Sequence, residues 1–260
     1  MTELKYKFTY DTLIKLLFVK YPDLLKRLVA AILGMAIDSI SEFVITNPEI
    51  PPEAIGDKFC KLDINMIVNG QRMNLEVQVE NQGDYPERSL YYWSRIYSSA
   101  LKTGSPYSSL PRVILISIVD FTLFDCAEYR SEFLPLEVKR QELLSDKMTM
   151  LYFEVRKLPK DIDVKNELEL MLSLFRAKTE EELKHLEALE VPILTQAIGA
   201  YREVVVSPEF CELERLRVNA RHNEASALDN ARQEERKAWE RVIADKDIEI
   251  ARLRAILDAK

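Results

Sequence analysis

Two acidic residues on neighbouring predicted strands could together bind a divalent cation. Asp63 and Glu76 lie on either side of Asn69-Gly70, a dipeptide typical of a two-residue hairpin turn. Such a turn pairs Val68 with Gln71, and the same register sets Asp63 directly opposite Glu76. Two carboxylates at directly opposite positions repel each other, and a cation between them removes that repulsion. The pattern therefore predicts a metal site on the polar face of the hairpin.

The same register places two more polar pairs on this face. Lys61 lies opposite Gln78, and Asn65 lies opposite Asn74. A half-solvated antiparallel hairpin also alternates apolar and polar residues, so acidic side chains on its solvent face need no metal. From the residues alone, the metal site and the solvated face are both open interpretations.

The composition restricts the metal chemistry to oxygen ligands. The chain has 260 residues, 47% of them hydrophobic, which is enough for a sizeable core. Only His185 and His222 are present, both in charged helical sequence, which disfavours Cys/His zinc sites and histidine general bases. Six glycines leave no glycine-rich phosphate loop. Carboxylate and carbonyl oxygens remain, and these favour Mg²⁺, Mn²⁺ or Ca²⁺.

Charge and cysteine content bear on partners and location. The net charge of −7 argues against tight non-specific binding of nucleic acid, although a metal-dependent nuclease can be acidic overall if the cation and a local basic strip face the phosphates. The first residues are too polar for a secretory signal, and no apolar run is long enough to cross a membrane, so we expect no membrane segment. Three scattered cysteines suit reduced thiols and a cytoplasmic location.

Hydrophobic periodicity predicts an α/β fold with helices on both faces of a sheet. The predicted elements, in order, are a helix over 9–34 broken at Tyr21-Pro22 and stopped by Gly34, a strand over 40–46, the hairpin, a helix over 84–102, and strands over 112–119 and 148–155. A helical crossover makes strand 112–119 parallel to the second hairpin strand, as its neighbour or one strand away. We expect the metal face to lie at an open edge of the sheet, where a duplex could reach it.

The C-terminal hundred residues are helical and densely charged. We predict an α/β domain over 1–160, a helical extension over 161–207 and a long charged helix over 208–260. In that last helix a heptad seam predicts a short coiled coil, and with it a homo-oligomer; the alternative is a solvated terminal helix. The seam consists of Trp239, Ile243, Lys246, Ile250, Leu253 and Leu257.

Five blocks of residues occur in an order that resembles a nuclease superfamily. The central block is Asp63 followed on the next strand by Glu76-Val77-Gln78. The other blocks are Asp11-x-x-x-Lys15-x-x-Phe18, residues 88–92, Gly104-x-x-Tyr107 with residues 113–116, and residues 152–157. The set, over roughly residues 8–160, resembles the PD-(D/E)XK nucleases, in particular the recombination-promoting nuclease branch described as PD-(D/E)XK nuclease family transposases. The resemblance implies a restriction-endonuclease-like core, a mixed sheet flanked by helices.

The activity implied by the resemblance is that of an Mg²⁺-dependent DNA endonuclease, with Mn²⁺ as a substitute, acting in recombination or on mobile elements. Asp63, Glu76 and the carbonyl of Val77 would bind the cation. Gln78 stands where the family pattern has lysine, so it could hydrogen-bond a water but supplies no positive charge. Lys61 could supply that charge from the neighbouring strand, or could be an ordinary surface lysine.

The resemblance also draws attention to residues outside the hairpin. Arg88, Tyr92 and Arg95 share one face of the predicted helix and could contact DNA phosphates, or form a solvated face. Asp11 could support the metal from the first helix, or stabilise that helix at its N-terminus. Glu154 resembles a family position, but a strand-edge ion pair is the preferred explanation of this residue. Together with the acidic charge, the missing lysine leaves an alternative, a catalytically weak or inactive nuclease-fold protein that binds DNA or another protein.

Overall fold

A mixed sheet flanked by helices forms the body of the protein, as a computed structural model that describes residues 2–46 and 64–258 shows. The predicted α/β fold is therefore confirmed. In chain order its elements are α1 (Asp11–Lys20), α2 (Pro22–Leu33), β1 (Phe43–Ile45), β2 (Ile64–Val68), β3 (Gln71–Gln78), α3 (Tyr85–Ser99), β4 (Val113–Val119), β5 (Arg130–Phe133), β6 (Met148–Glu154), α4 (Glu167–Arg176), α5 (Glu180–Glu187), α6 (Pro192–Val205) and α7 (Pro208–Asp258).

The described residues divide into two compact units. Residues 2–46 and 64–211 form the first unit, which contains the sheet and helices α1 to α6, and residues 212–258 form the second. The predicted boundaries at residues 160 and 207 stay predictions. No helix of the described part combines the length and apolar character needed to cross a membrane.

The strands lie in the order β1-β2-β3-β4-β6-β5. Strands β3, β4 and β6 are parallel, and the remaining neighbours are antiparallel. The crossover through α3 therefore places β4 directly beside β3, one of the two arrangements expected from the sequence. The expectation that the polar hairpin face lies at an open edge is wrong, because β1 pairs with β2 on one side and β4 pairs with β3 on the other. This places β3 inside the sheet.

The hairpin turn confirms the register predicted from the sequence. Asn69 and Gly70 both have positive φ, 47° and 76°, as a type I′ turn requires. The Asn69 side chain also accepts hydrogen bonds from the backbone N–H groups of Ser41 and Glu42, at 3.0 and 3.1 Å. In the paired strands Val68 lies opposite Gln71, and the same register continues without a bulge as far as residue 64 opposite residue 75.

The helix break and the buried strand are also confirmed. The chain leaves the helical conformation at Tyr21, Pro22 begins α2, and Gly34 ends it in the left-handed region at φ 65°. All seven residues of β4 are buried, which agrees with a strand covered on both faces. On one face α3 covers the sheet over a cluster formed by Tyr85, Leu115, Val119, Phe121, Met150 and Tyr152.

Two strands differ from the sequence-based expectation. Strand β1 covers only residues 43–45 of the predicted 40–46, because the chain enters it from a short 3-10 turn over residues 37–39. Strand β5 was missed altogether. Its sequence, RSEF, has three polar residues out of four and no apolar alternation, and it lies at the edge of the sheet where burial does not demand such alternation.

Candidate metal centre

Glu76 is a buried carboxylate in the interior of the sheet. It is 1% exposed and lies on β3 beside Ser117 of β4, which in turn lies beside Tyr152 of β6. These three side chains form a polar row across three parallel strands, on the face that α3 covers. The interpretation of this face as half-solvated is therefore wrong at Glu76, since a solvated carboxylate would be exposed. A buried carboxylate carries a large desolvation cost unless hydrogen bonds or a cation compensate it.

Tyr85, the first residue of α3, supplies a hydrogen bond to this carboxylate. Its hydroxyl donates to Oε2 of Glu76 at 3.3 Å, and the tyrosine itself is 1% exposed. Burial, and next the negative charge of Glu76, raise the pKa of the Tyr85 hydroxyl well above its usual value of 10.0. The hydroxyl therefore keeps its proton at neutral pH, so it can act as a permanent donor that orients Glu76.

A second buried hydroxyl pair holds α3 against the sheet. The hydroxyls of Ser89 and Tyr152 lie 2.5 Å apart, and both residues are buried. Burial comes first among the causes that raise the pKa of Tyr152 above 10.0. This pair and the Tyr85–Glu76 bond together anchor the first turns of α3 over the polar row.

Tyr85 is not among the site residues predicted from the sequence, in which it only lies near the start of a predicted helix. The available signal was an aromatic residue with a hydroxyl, immediately before Pro86 and seven positions after Gln78. Proline at the second helical position fixes where the helix begins, and thus which side chain heads it.

Asp63 and Lys61 lie outside the described residues. Ile64, the next residue, begins β2 and lies opposite Leu75. If the register continued by one more residue, Asp63 would lie opposite Glu76, so this pairing stays a prediction, as does that of Lys61 with Gln78. Within residues 2–46 and 64–258, no three His, Cys, Asp or Glu side chains cluster closely enough to hold a metal ion.

The backbone carbonyl of Val77 is directed towards β2, the hairpin partner of β3. The carbonyl of Gln78 accepts a hydrogen bond at 2.8 Å from the backbone N–H of Asp120, just beyond β4. Because successive carbonyls of a strand point to opposite sides, the carbonyl of Val77 points away from β4 and towards β2. This is the direction in which the predicted position of Asp63 lies. The Gln78 side chain is partly exposed at the end of β3.

Asp11 begins α1. Its Oδ1 accepts a hydrogen bond from the backbone N–H of Thr12 at 2.6 Å. An acidic residue in the first helical turn interacts favourably with the positive end of the helix dipole. The structure thus supports the helix-terminal role of Asp11, and its support of a metal stays a prediction.

The three residues predicted to contact DNA all lie on α3 but differ in their surroundings. The guanidinium of Arg88 lies 5.0 Å from the ring centre of Tyr85 and is partly buried. Tyr92 packs against the apolar cluster under α3. Arg95 is exposed, 5.9 Å from the ring centre of Tyr91. Arg88 therefore contacts the tyrosine that holds Glu76, whereas Arg95 faces the solvent.

A group of ion pairs lies beyond the carboxyl ends of the parallel strands. Asp120, whose backbone bonds to Gln78, pairs with Arg156 at 2.9 Å and with Lys178 at 3.1 Å. The side chains of Arg156 and Lys178 are 51% and 42% exposed, so two cations surround one carboxylate near the end of β3. In spite of the acidic net charge, this end of the sheet therefore has local positive charge that could face a phosphate.

Glu154 takes part in a buried ion pair, as the alternative interpretation of this residue predicted. It is 1% exposed and lies 2.7 Å from the ammonium of Lys157. It also accepts a hydrogen bond from the backbone N–H of Leu123 at 2.6 Å. Glu154 therefore ties the end of β6 to the loop that follows β4.

Comparison with known proteins assigns this chain to a family. The sequence model of one family, described as PD-(D/E)XK nuclease family transposase, matches residues 9–231. The chain belongs to this family. No curated protein and no solved structure matches the chain.

Membership in the PD-(D/E)XK nuclease family transposases indicates a nuclease with a role in mobile elements. The matched segment runs from the N-terminal end of α1 through α6 and into α7, well past the residues 8–160 that carried the resemblance in the sequence. The match therefore includes the helices that follow the sheet.

Proposed function

We propose that the protein is a metal-dependent DNA endonuclease that hydrolyses phosphodiester bonds during recombination or mobile-element transfer, in the cytoplasm. The observation that carries the proposal is the buried Glu76 carboxylate, oriented by Tyr85 on an interior strand. A role in solubility alone would not account for this position, because moving a carboxylate from the surface into the interior carries a desolvation cost. Family membership supports the same conclusion.

The residues of the site fit a hard divalent cation such as Mg²⁺, with Mn²⁺ as a substitute. Asp63, Glu76 and the carbonyl of Val77 would supply oxygen ligands, the type that these ions prefer. The bound ion would polarise a phosphoryl oxygen and lower the pKa of a water molecule. Gln78 would orient that water through a hydrogen bond, and Lys61 would supply positive charge near the phosphate.

The proposed DNA surface includes α3 and the ion pairs beyond the parallel strands. Arg95 is exposed and free to approach a phosphate, and Arg88 and Tyr92 lie on the same helix. Arg156 and Lys178 add positive charge near the end of β3. Contacts of this kind position the backbone of a duplex and carry no sequence information of their own.

Plasmid cleavage tests the proposal. Supercoiled DNA is incubated with the protein and Mg²⁺, Mn²⁺ or EDTA, and the Asp63→Ala variant is the control. We expect cleavage with either ion, and none with EDTA or with the variant. Cleavage that persists in EDTA would contradict the metal-dependent mechanism.

A second candidate function follows from Gln78. Without the lysine of the family pattern, the site lacks one positive charge that would stabilise the transition state. The protein could then act as a catalytically weak or inactive module that binds DNA or a protein. Retention of labelled DNA in a gel-shift assay, without cleavage under any metal condition, would favour this candidate.

The Tyr85→Phe variant should bind the metal about 10-fold more weakly or worse, because residues that hydrogen-bond metal ligands typically contribute this much to affinity. Mn²⁺ affinity measured by electron paramagnetic resonance reports the effect independently of DNA cleavage. The Tyr152→Phe variant is a matched control, since it also removes a buried tyrosine hydroxyl under α3, but one that pairs with Ser89. Equal Mn²⁺ affinity in Tyr85→Phe and the unaltered protein would exclude the orienting role.

The C-terminal helix supports a further proposal, self-association through its heptad seam. Trp239, Ile243 and Ile250 are 60%, 57% and 45% exposed, so this apolar seam is accessible within the described chain. The side chains of Leu253 and Leu257, also in the predicted seam, lie outside the described residues.

Truncation tests this self-association. Phe210 must be kept, because it is 1% exposed and its ring lies 4.8 Å from that of Tyr6. A chain ending at Arg221 meets this condition. We expect analytical ultracentrifugation to give a smaller assembly for the truncated chain than for the intact chain. An unchanged number of chains per particle would refute a role of the helix in assembly.

A further inference from the structure

The edge strand β5 has backbone groups that face away from the sheet. The backbone N–H of Glu154 donates to the carbonyl of Tyr129 at 2.8 Å, which identifies these two residues as a hydrogen-bonded pair. In an antiparallel ladder such pairs alternate, so Ser131 and Phe133 also direct their backbone groups towards β6. The N–H and C=O groups of Arg130 and Glu132 therefore point outwards. Within the described part of the chain, no backbone hydrogen bond occupies them.

This outward edge is complementary to itself. If a second copy lies antiparallel, with a twofold axis at Ser131, Arg130 of each copy falls opposite Glu132 of the other. The backbone N–H and C=O groups of Arg130 and Glu132 face outwards. In this register each Arg130 can therefore form a hydrogen-bonded pair with Glu132 of the other copy. The register also sets opposite charges face to face at both ends, which stabilises a strand pair.

The charges of the strand favour this arrangement over other pairings. Arg130 and Glu132 have side chains on the same face, each 42% exposed, and form a 3.3 Å ion pair within the chain. Charged residues on an edge strand normally discourage pairing with another strand. Here the two signs alternate, so antiparallel self-pairing sets Arg130 of each chain opposite Glu132 of the other and brings no like charges directly opposite each other. A parallel in-register pairing would set arginine against arginine.

Apolar side chains beside the strand would add buried area to such an interface. The segment from the end of β5 to residue 144 exposes six large apolar residues, whose burial in an interface would be favourable. They are Phe133 (43%), Leu134 (37%), Leu136 (41%), Val138 (83%), Leu143 (46%) and Leu144 (83%). Leu136 and Leu143 form an isolated antiparallel bridge, so this segment folds back on itself next to the edge.

We propose that β5 is a homodimer interface, in which two copies of the chain pair antiparallel about Ser131 and join their sheets into one. The occupant of the edge is a second copy of this chain, because the alternating charges and the outward backbone groups match each other only in that register. This proposal does not depend on the nuclease activity or on the helix α7. If the protein is a nuclease and also dimerises through β5, each dimer carries two catalytic centres.

Charge reversal tests the register with full-length chains. The Arg130→Glu variant has two acidic residues on the edge, and the Glu132→Arg variant has two basic ones. In sedimentation equilibrium we expect each variant alone to dimerise on the order of 10-fold more weakly or worse, because like charges then lie opposite each other. An equimolar mixture should form a heterodimer, and the double variant Arg130→Glu/Glu132→Arg should associate as the unaltered chain does. Wild-type association of both single variants would overturn the proposal.

A disulfide at the twofold axis gives a second, direct readout. Ser131 would lie opposite its own copy in a non-hydrogen-bonded pair, where Cα atoms are about 4.5 Å apart, within the range that a disulfide spans. Under mild oxidation the Ser131→Cys variant should form a dimer with a 131–131 disulfide, identified by peptide mass spectrometry. Cys126 and Cys211 are exposed, so the unaltered chain under the same oxidant is the control. Failure to form this disulfide, while the protein is dimeric, would place the interface elsewhere.

Discussion

Replacing Glu76 by glutamine is expected to lower the rate of Mg²⁺-dependent DNA cleavage by about 1000-fold or more while the fold is retained. Loss of a carboxylate ligand removes the charge that holds the cation, and a bound metal supplies several kcal/mol of transition-state stabilisation. Glutamine has nearly the same shape as glutamate, so it fits the space beneath α3. Initial rates of supercoiled-plasmid nicking, at equal protein concentration, measure the effect.

The stability of the Glu76→Gln variant distinguishes loss of chemistry from loss of structure. Glu76 is 1% exposed, and a neutral amide is less costly to bury than a carboxylate, so in EDTA the variant should unfold at the same temperature as the unaltered protein or higher. Added Mg²⁺ should raise the unfolding temperature of the unaltered protein only. Glu80→Gln, an exposed change just after β3, is the matched control. Its unfolding temperature in EDTA, and the rise of that temperature with Mg²⁺, should equal those of the unaltered protein. Undiminished nicking by Glu76→Gln would refute its role as a ligand.

Replacing Lys157 by methionine is expected to lower the free energy of unfolding by about 3–5 kcal/mol, the usual cost of leaving one partner of a buried ion pair without the other. Glu154 is 1% exposed, and the side chain of Lys157 is 11% exposed. After the change, the donors that remain to the Glu154 carboxylate within residues 2–46 and 64–258 would be the backbone N–H groups of residues 123 and 124. Urea denaturation measures the difference.

An exposed arginine provides the control for Lys157. Arg140 pairs with Glu142, but its side chain is 68% exposed, so Arg140→Met should change the unfolding free energy by less than about 1 kcal/mol. A similarly small effect of Lys157→Met would mean that the Glu154 pair adds nothing to stability.

The Lys157 pair also has a predicted pH dependence. Burial is the largest single effect and lowers the pKa of Lys157, but the hydrogen bond and negative charge of Glu154, together with smaller contributions from Cys126, outweigh it and raise the pKa above 10.5. A group whose pKa is higher in the folded state stabilises the fold at all pH values below its unfolded pKa. That contribution is lost as the pH rises through the folded pKa. The difference in stability between Lys157→Met and the unaltered protein should therefore be constant at neutral pH and shrink above about pH 10.5.

Local sequence features were sufficient to predict the hairpin and the buried strand. Asn69-Gly70 determines both the turn type and the register, because few other dipeptides accept two consecutive positive φ angles. The apolar run of β4 is also a local signal, and so is the stop at Gly34. These elements follow from short-range constraints on the backbone, and the structure agrees with them.

The surroundings of Glu76 could not be predicted in the same way. Alternation along β3 looks the same whether its polar face contacts water or a helix, and the difference depends on α3 folding back over the sheet. Tyr85 reaches Glu76 only through that packing. Strand β5 could not be predicted for a related reason. It is a polar edge strand without hydrophobic periodicity, and its extended conformation depends on pairing with β6.

Crystals of the protein soaked in Mn²⁺ would show whether Glu76 is a metal ligand. We expect an anomalous-scattering peak within coordination distance of a Glu76 carboxylate oxygen, with Asp63 as a second ligand from the adjacent strand. A peak that touches neither residue, in crystals of protein that still cleaves DNA with Mn²⁺, would contradict this expectation.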